Sequence, residues 1–77
     1  MTEVAILNII REKKRMSYAL IAEKLGYKGR SAACNRFNSD SMTVATLVKL
    51  LSAMDCELVI KDKAGSKESY VVTNEGR

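Results

Sequence analysis

Apolar residues recur at helical spacing over the first fourteen positions of the chain. They lie on two adjacent stripes of one helix, which are formed by Val4 and Leu7 and by Ile6, Ile9 and Ile10. Thr2 is a suitable N-cap, and the apolar pattern ends near Lys14, so the pattern predicts a helix between them. Because its apolar arc is wide, we expect this first helix to be the central packing element of the fold.

Two short helices separated by a tight turn are predicted next. Ser17 can cap the first of them, over about residues 18–25, and Gly26 ends it in the left-handed conformation that is common after helices. The residues of this helix that face inward are Ile21, Ala22 and Leu25. The second short helix runs from about Arg30 to Phe37. A helix, a glycine-containing turn and a second helix form the plan of a helix-turn-helix, whose second helix enters the major groove of DNA.

A fourth helix and two strands complete the pattern. Thr43 or Ser41 can cap a helix over about residues 44–54, whose expected core residues are Val44, Leu47, Val48, Leu51 and Met54. After Asp55 the period changes, and residues 57–61 and 68–73 flank a polar loop containing Gly65, which is typical of a β-hairpin. One face of this hairpin carries Leu58, Ile60, Tyr70 and Val72, and the other carries Val59 and Val71.

The fold class expected from these elements is mainly α, with four or five helices and a C-terminal β-hairpin. Residues 1–77 form a single domain, with a helical part over about 2–55 and the hairpin over about 57–73. A lone two-stranded hairpin is marginally stable in water. We therefore expect one face to cover the helices and the strip of Val59 and Val71 to meet the same hairpin of a second subunit. The alternative is a hairpin that folds onto its own helices and leaves these two valines exposed.

Positive charge is concentrated in the middle of the chain. The net charge is +4 over 77 residues, but residues 11–36 carry eight basic side chains and two acidic ones, a net charge of +6. The basic residues are Arg11, Lys13, Lys14, Arg15, Lys24, Lys28, Arg30 and Arg36. This concentration favours the phosphate backbone of a nucleic acid as partner. Basic residues in the last turn of a helix also suit the helix dipole without any partner.

Composition argues against several other classes of protein. The chain has no histidine and only two cysteines, Cys34 and Cys56, so we expect neither a disulfide framework nor a metal site. It has no paired carboxylates in an apolar setting and no phosphate-binding glycine loop, so we expect no cofactor and no enzymatic activity. No apolar run approaches the ~20 residues of a membrane span, and the N-terminus does not resemble a secretory signal. A cytoplasmic, nucleoid-associated protein is therefore expected.

Two segments of the chain resemble a known family. They are LIAEKLGYKGRSAACNRFN at residues 20–38 and MTVATLVKLLSAMDCELVI at residues 42–60. They are similar to the phage-repressor-like (Cro-type) helix-turn-helix regulators of bacteria and phages, and the likeness covers about residues 5–60. The resemblance implies a repressor-like helical fold and DNA binding.

The chain departs from the family pattern at two places. The turn has one extra residue, at Lys28-Gly29, and Ala33 stands where a bulkier aliphatic residue is commoner. Without the extra residue Asn35 would take a core position, where an unpaired amide costs roughly 1–3 kcal/mol. With it, Phe37 points inward, which is the arrangement that we expect.

In this register the third helix presents a polar face near its start. We expect base contacts from Arg30, Ser31, Cys34 and Asn35, since arginine pairs with guanine, asparagine with adenine and serine with either. Phosphate contacts are expected at helix starts and flanks, from Ser17, Tyr18, Lys28, Gly29, Arg36 and Asn38. The alternatives are a pure cap for Ser17, a core edge for Tyr18 and a solvated charge for Arg36.

The sequence thus predicts a sequence-specific regulator of transcription that binds double-stranded DNA. The form expected is a repressor that binds a palindromic operator as a homodimer. The alternative is a protein-interaction module, such as the antitoxin half of a toxin–antitoxin pair, in which the hairpin holds another protein. Binding of single-stranded RNA ranks third, because the three tyrosines and one phenylalanine do not form a stacking platform.

Overall fold

The computed structural model describes residues 1–64 and 68–75 of the chain. Its elements are α1 (Glu3–Lys13), α2 (Tyr18–Leu25), α3 (Arg30–Phe37), α4 (Val44–Ala53), β1 (Leu58–Lys61) and β2 (Ser69–Val72). The architecture is mainly helical, and the two strands form an antiparallel hairpin after the helices, as expected. Four helices lie in the described part of the chain. The loop residue Gly65 lies outside the described residues.

Hydroxyl side chains start α1, α2 and α4. Thr2, Ser17 and Thr43 each accept a hydrogen bond from the backbone N–H three residues ahead, over 3.1–3.2 Å. Each bond satisfies one of the N–H groups that the first turn of a helix leaves without a partner. The predicted caps Thr2 and Ser17 are confirmed, and Thr43 rather than Ser41 caps α4.

The core lies where α2, α3 and α4 meet Leu7 of α1. Its large side chains that are fully enclosed are Leu7, Ile21, Phe37, Leu50 and Met54. Alanines occupy buried positions on three of these helices, at Ala22, Ala33 and Ala53. Small side chains at such positions let helix backbones approach closely, which holds α2 and α3 together despite their length of eight residues each.

The expectation that α1 is the central packing element is wrong. Leu7 is the buried residue of this helix, whereas Ile6 and Ile9 are 42% and 39% exposed. The helix packs against α3 and α4, and its polar contacts with α2 are made through Tyr18. These neighbours cover Leu7 completely, but they leave Ile6 and Ile9 of the same apolar arc exposed.

The core stripe of α4 also differs from the one expected. Leu50 is fully buried although the expected stripe did not contain it, and Val44 is 48% exposed although the stripe began there. Val44 and Ala45, the first two residues of the helix, are both exposed, so α4 enters the core only from its second turn.

The hairpin projects away from the helices. Leu58 pairs with Val72, Val59 with Val71 and Ile60 with Tyr70, so the two expected faces are confirmed. However, the face formed by Leu58, Ile60, Tyr70 and Val72 covers the helices only at the end of the hairpin that is nearest to them. Leu58 packs against the core, whereas Ile60 and Tyr70 on the same face are 60% and 58% exposed. Both faces of the outer half of the hairpin are therefore open.

Candidate nucleic-acid interface

The turn between α2 and α3 fixes how the two helices face each other. Gly26 has φ 74°, in the left-handed region that favours glycine, and the N–H of Tyr27 donates to the carbonyl of Ala22 over 2.8 Å. Tyr27, Lys28 and Gly29 then complete the turn before α3 begins at Arg30. Gly29 is extended and has open space where a side chain would lie, so its backbone does not require glycine.

The burial pattern of α3 confirms the register predicted from the lengthened turn. Ala33 and Phe37 are fully buried, and Asn35 is exposed. The Phe37 ring meets the Tyr18 ring of α2 edge to face, with 5.6 Å between centroids. This contact, together with Ala33, presses the inner side of α3 against α2.

The part of α3 that is not buried carries the residues expected to contact bases. Arg30, Ser31 and Asn35 are exposed, and Cys34 is half-buried beside them. Residues 30 and 34, and 31 and 35, lie one helical turn apart, so the four side chains form one continuous surface. We call this surface the α3 face. Arg30, Ser31 and Asn35 make no side-chain hydrogen bond to another residue within 1–64 or 68–75.

Exposed basic residues are concentrated on α3 and in the residues just before it. Lys24, Lys28, Arg30 and Arg36 are exposed, and none of them is ion-paired with another described residue. Glu23 is the one acidic residue in the sequence from Tyr18 to Phe37. The first turn of α3 adds to this potential, because Gly29 provides no side-chain cap and the helix dipole is positive at this end.

Two of the eight basic residues of the central segment have structural roles instead. The Arg11 guanidinium lies 4.2 Å from the centroid of the Tyr18 ring and donates to the carbonyl of Met16 over 3.2 Å. Lys14 Nζ donates to the carbonyl of Met54 over 2.6 Å and so joins the ends of α1 and α4. The number of basic residues in this segment does not distinguish Arg11 and Lys14, which bind groups within the protein, from the exposed basic residues near α3.

A polar network that the sequence did not reveal joins α1, α2 and the end of α3. The Tyr18 hydroxyl donates to Asn8 Oδ1 over 2.7 Å, and Asn8 Nδ2 donates to Asn38 Oδ1 over 3.3 Å. Asn38 Nδ2 in turn donates to the carbonyl of Cys34 over 2.8 Å. The feature of the sequence that could have indicated this network is Asn8, a polar residue between apolar neighbours in α1. The hydrogen-bond partners of Asn8 lie 10 and 30 residues away along the chain.

This network gives two of the residues expected to contact phosphates, Tyr18 and Asn38, hydrogen-bond partners within the protein. Tyr18 and Asn38 already use their hydrogen-bond donors within the protein, and Tyr18 is half-buried at the edge of the core. Ser17 accepts the Leu20 N–H as a helix cap, although it is exposed. Lys28, Gly29 and Arg36 remain exposed beside the α3 face and available to a ligand.

Metal-ligating side chains, free cysteines and a surface groove are the other candidate features of the described residues. Within residues 1–64 and 68–75, no three His, Cys, Asp or Glu side chains come together where they could hold a metal ion. Cys34 and Cys56 are both free and half-buried. A groove of about 540 Å³ lies on another part of the surface, between α4 and the end of β2, where Val48, Lys49, Glu57 and Val72 line it.

Comparison with known proteins adds no relative. No protein-family model, no curated protein and no solved structure matches the chain. Across the described residues, no helix has both the length and the apolar character needed to cross a membrane.

Proposed function

We propose that the chain is a sequence-specific regulator of transcription that binds double-stranded DNA through a helix-turn-helix formed by α2 and α3. The observation that carries the proposal is the α3 face, where Arg30, Ser31 and Asn35 are exposed while Ala33 and Phe37 of the same helix are fully buried. Buried anchors fix the orientation of α3, so its outward side chains are positioned before any ligand arrives. Arginine, serine and asparagine are side chains that read base edges in the major groove.

The shape and charge around this face support DNA over other polar ligands. A helix of eight residues is about 12 Å long, and the major groove of B-DNA is wide enough to admit it. Lys28 and Arg36 flank the face at opposite ends of α3, where the phosphates on either side of the groove would lie. Gly29 would contribute through its backbone at the start of α3, where N–H groups and the helix dipole favour a phosphate.

Binding as a homodimer on a palindromic operator is part of this proposal. One such helix covers few base pairs, and dimers solve this by reading two half-sites about 34 Å apart. The exposed hairpin is the element best suited to join two copies, because Val59 and Val71 are 43% and 51% exposed. Repression is the regulatory outcome that the family resemblance favours.

The α3 face is tested by single alanine substitutions measured with fluorescence anisotropy on a bound duplex and on scrambled duplexes. We expect Arg30→Ala to lose about 1–3 kcal/mol per half-site and to relax sequence selectivity, whereas Lys28→Ala weakens all sequences alike. Lys63→Ala, which removes the same charge from the exposed far end of the hairpin, is the matched control and should change neither property. If the Arg30→Ala chain kept full affinity and full selectivity, the assignment of Arg30 to the DNA interface would be wrong.

A second candidate function is a protein-interaction module, such as the antitoxin half of a toxin–antitoxin pair. The observation that favours it is the exposure of Ile60 and Tyr70 at 60% and 58%, which is high for large apolar residues in a small domain. A partner of fixed stoichiometry held through residues 57–73 would support this role. A steep dependence of duplex affinity on salt would support DNA binding, and one chain can perform both.

A further inference from the structure

The outer edge of β1 is an unused hydrogen-bonding surface. The described part of the chain contains a sheet of two strands, so β1 has β2 on one side and no strand on the other. An edge of this kind exposes a row of N–H and C=O groups that can pair with another strand. The side chains of β1 are mostly exposed as well, which leaves the edge accessible.

The hydrogen bonds of the hairpin show which residues point their backbone groups outward. The N–H of Asp62 donates to the carbonyl of Glu68 over 3.4 Å, which makes these two residues a hydrogen-bonded pair. Hydrogen-bonded and non-hydrogen-bonded pairs alternate along an antiparallel ladder. Leu58 and Ile60 therefore point their backbone groups toward β2, and Glu57, Val59 and Lys61 point theirs toward the open edge.

This edge is complementary to itself in one register. If a second β1 strand lies antiparallel to the first, with the two-fold axis at Val59, Glu57 of each copy lies opposite Lys61 of the other. Val59 then faces its own symmetry mate, and Leu58 lies opposite Ile60 on the inner face. Opposite charges therefore meet at both ends, and apolar residues meet between them. All three residues with outward backbone groups find partners.

The neighbouring register and the other edge are less complementary. With the axis at Ile60, Lys61 would lie opposite Val59, and Asp62 opposite Leu58, so charged and apolar side chains would be paired. An analogous pairing of β2 about Val71 would bring no opposite charges together. In addition, Asn74 after β2 is held to α4 by a bond from its Nδ2 to the carbonyl of Ala45, over 3.0 Å.

We infer that a second copy of this chain pairs with the first along β1, with the two-fold axis at Val59, and that the two hairpins form one four-stranded antiparallel sheet. This arrangement brings Ile60 of the second copy beside Leu58, which lines an apolar groove of about 230 Å³ together with Met1 and Ile6. The inference specifies the contact that joins the homodimer of the proposed function. It concerns the hairpin alone and does not depend on what the α3 face binds.

The test uses charge reversal and sedimentation velocity of the full chain over micromolar concentrations. Glu57→Lys and Lys61→Glu each place like charges opposite each other at both ends of the pairing, and each should weaken dimerisation roughly tenfold. The double variant Glu57→Lys/Lys61→Glu restores both attractive pairs and should dimerise as the parent does. An equal mixture of the two single variants should form a heterodimer, because each supplies the charges that the other lacks.

Controls separate this interface from folding and from general charge effects. Lys63→Glu makes the same change of charge outside the paired residues and should leave dimerisation unchanged. Circular dichroism shows whether each single variant keeps its helices. If one single variant unfolds, the double variant still tests the pairing of residues 57 and 61. A parent chain that stays monomeric, or single variants that fail to associate when mixed, would overturn the inference. A monomeric Lys61→Glu chain that still binds a single half-site would leave the proposed DNA binding intact.

Discussion

Replacement of Phe37 tests the register of α3, on which the whole α3 face depends. The side chain is fully buried, and its ring meets Tyr18 at an interplanar angle of 76°. Phe37→Leu keeps most of the buried apolar area but loses the edge-to-face contact, which contributes about 0.5–1.5 kcal/mol. The change of shape in a packed core adds a cost of up to about 1.5 kcal/mol. We therefore expect the free energy of unfolding to fall by about 0.5–3 kcal/mol.

The matched substitution is Asn35→Ala on the opposite side of the same helix. Asn35 is exposed, and a surface change of this kind shifts the free energy of unfolding by no more than about 0.5 kcal/mol. Phe37→Leu should remain folded, since a domain of 77 residues has roughly 4–12 kcal/mol of stability. Phe37→Ala, at about 3–5 kcal/mol, would remove a much larger part of this stability.

Urea unfolding followed by circular dichroism measures both variants. The midpoint should fall for Phe37→Leu with an unchanged slope, and it should stay constant for Asn35→Ala. Each variant is compared with the parent at the same protein concentration, because the proposed dimerisation would add to the apparent stability. A stable Phe37→Leu chain together with a destabilised Asn35→Ala chain would show that the turn is one residue shorter and that α3 presents a different face.

Two further pairs of substitutions test the local structure around the α3 face by thermal unfolding. Ser17→Ala should lower the free energy of unfolding by about 1 kcal/mol, as Thr43→Ala does at the start of α4, because both hydroxyls cap helices. A much smaller loss at Ser17 would argue against the cap. Gly26→Ala should cost roughly 1–2 kcal/mol, because φ 74° is strained for a residue with a side chain, whereas Gly29→Ala should be nearly neutral. Equal losses at the two glycines would contradict the turn geometry.

Local features of the fold were predictable from the sequence because their causes lie within a few residues. The caps Thr2 and Ser17 need only a hydroxyl placed before a helix, and the left-handed turn needs only Gly26. The register of α3 was also predictable, because burying Asn35 is costly and burying Phe37 is favourable. The α3 face followed from that register.

Features set by packing between distant elements were not predictable in the same way. The apolar pattern of α1 does not show which of its residues the other helices cover, so Ile6 and Ile9 were expected inside and are exposed. The partners of Asn8 are set by the placement of α1 against α2 and α3, which no local pattern encodes. For the same reason the sequence does not show that the hydroxyl of Tyr18, a residue expected to contact a phosphate, donates to Asn8.

Selection of bound sites from a pool of random duplexes tests the central claim most directly, namely that the α3 face reads DNA sequence as part of a dimer. We predict enrichment of a palindrome whose half-sites are centred about 34 Å apart, one turn of the double helix. Selection with the Arg30→Ala chain should lose preference at one position in each half-site. Recovery of no enriched sequence by the parent chain would contradict the account.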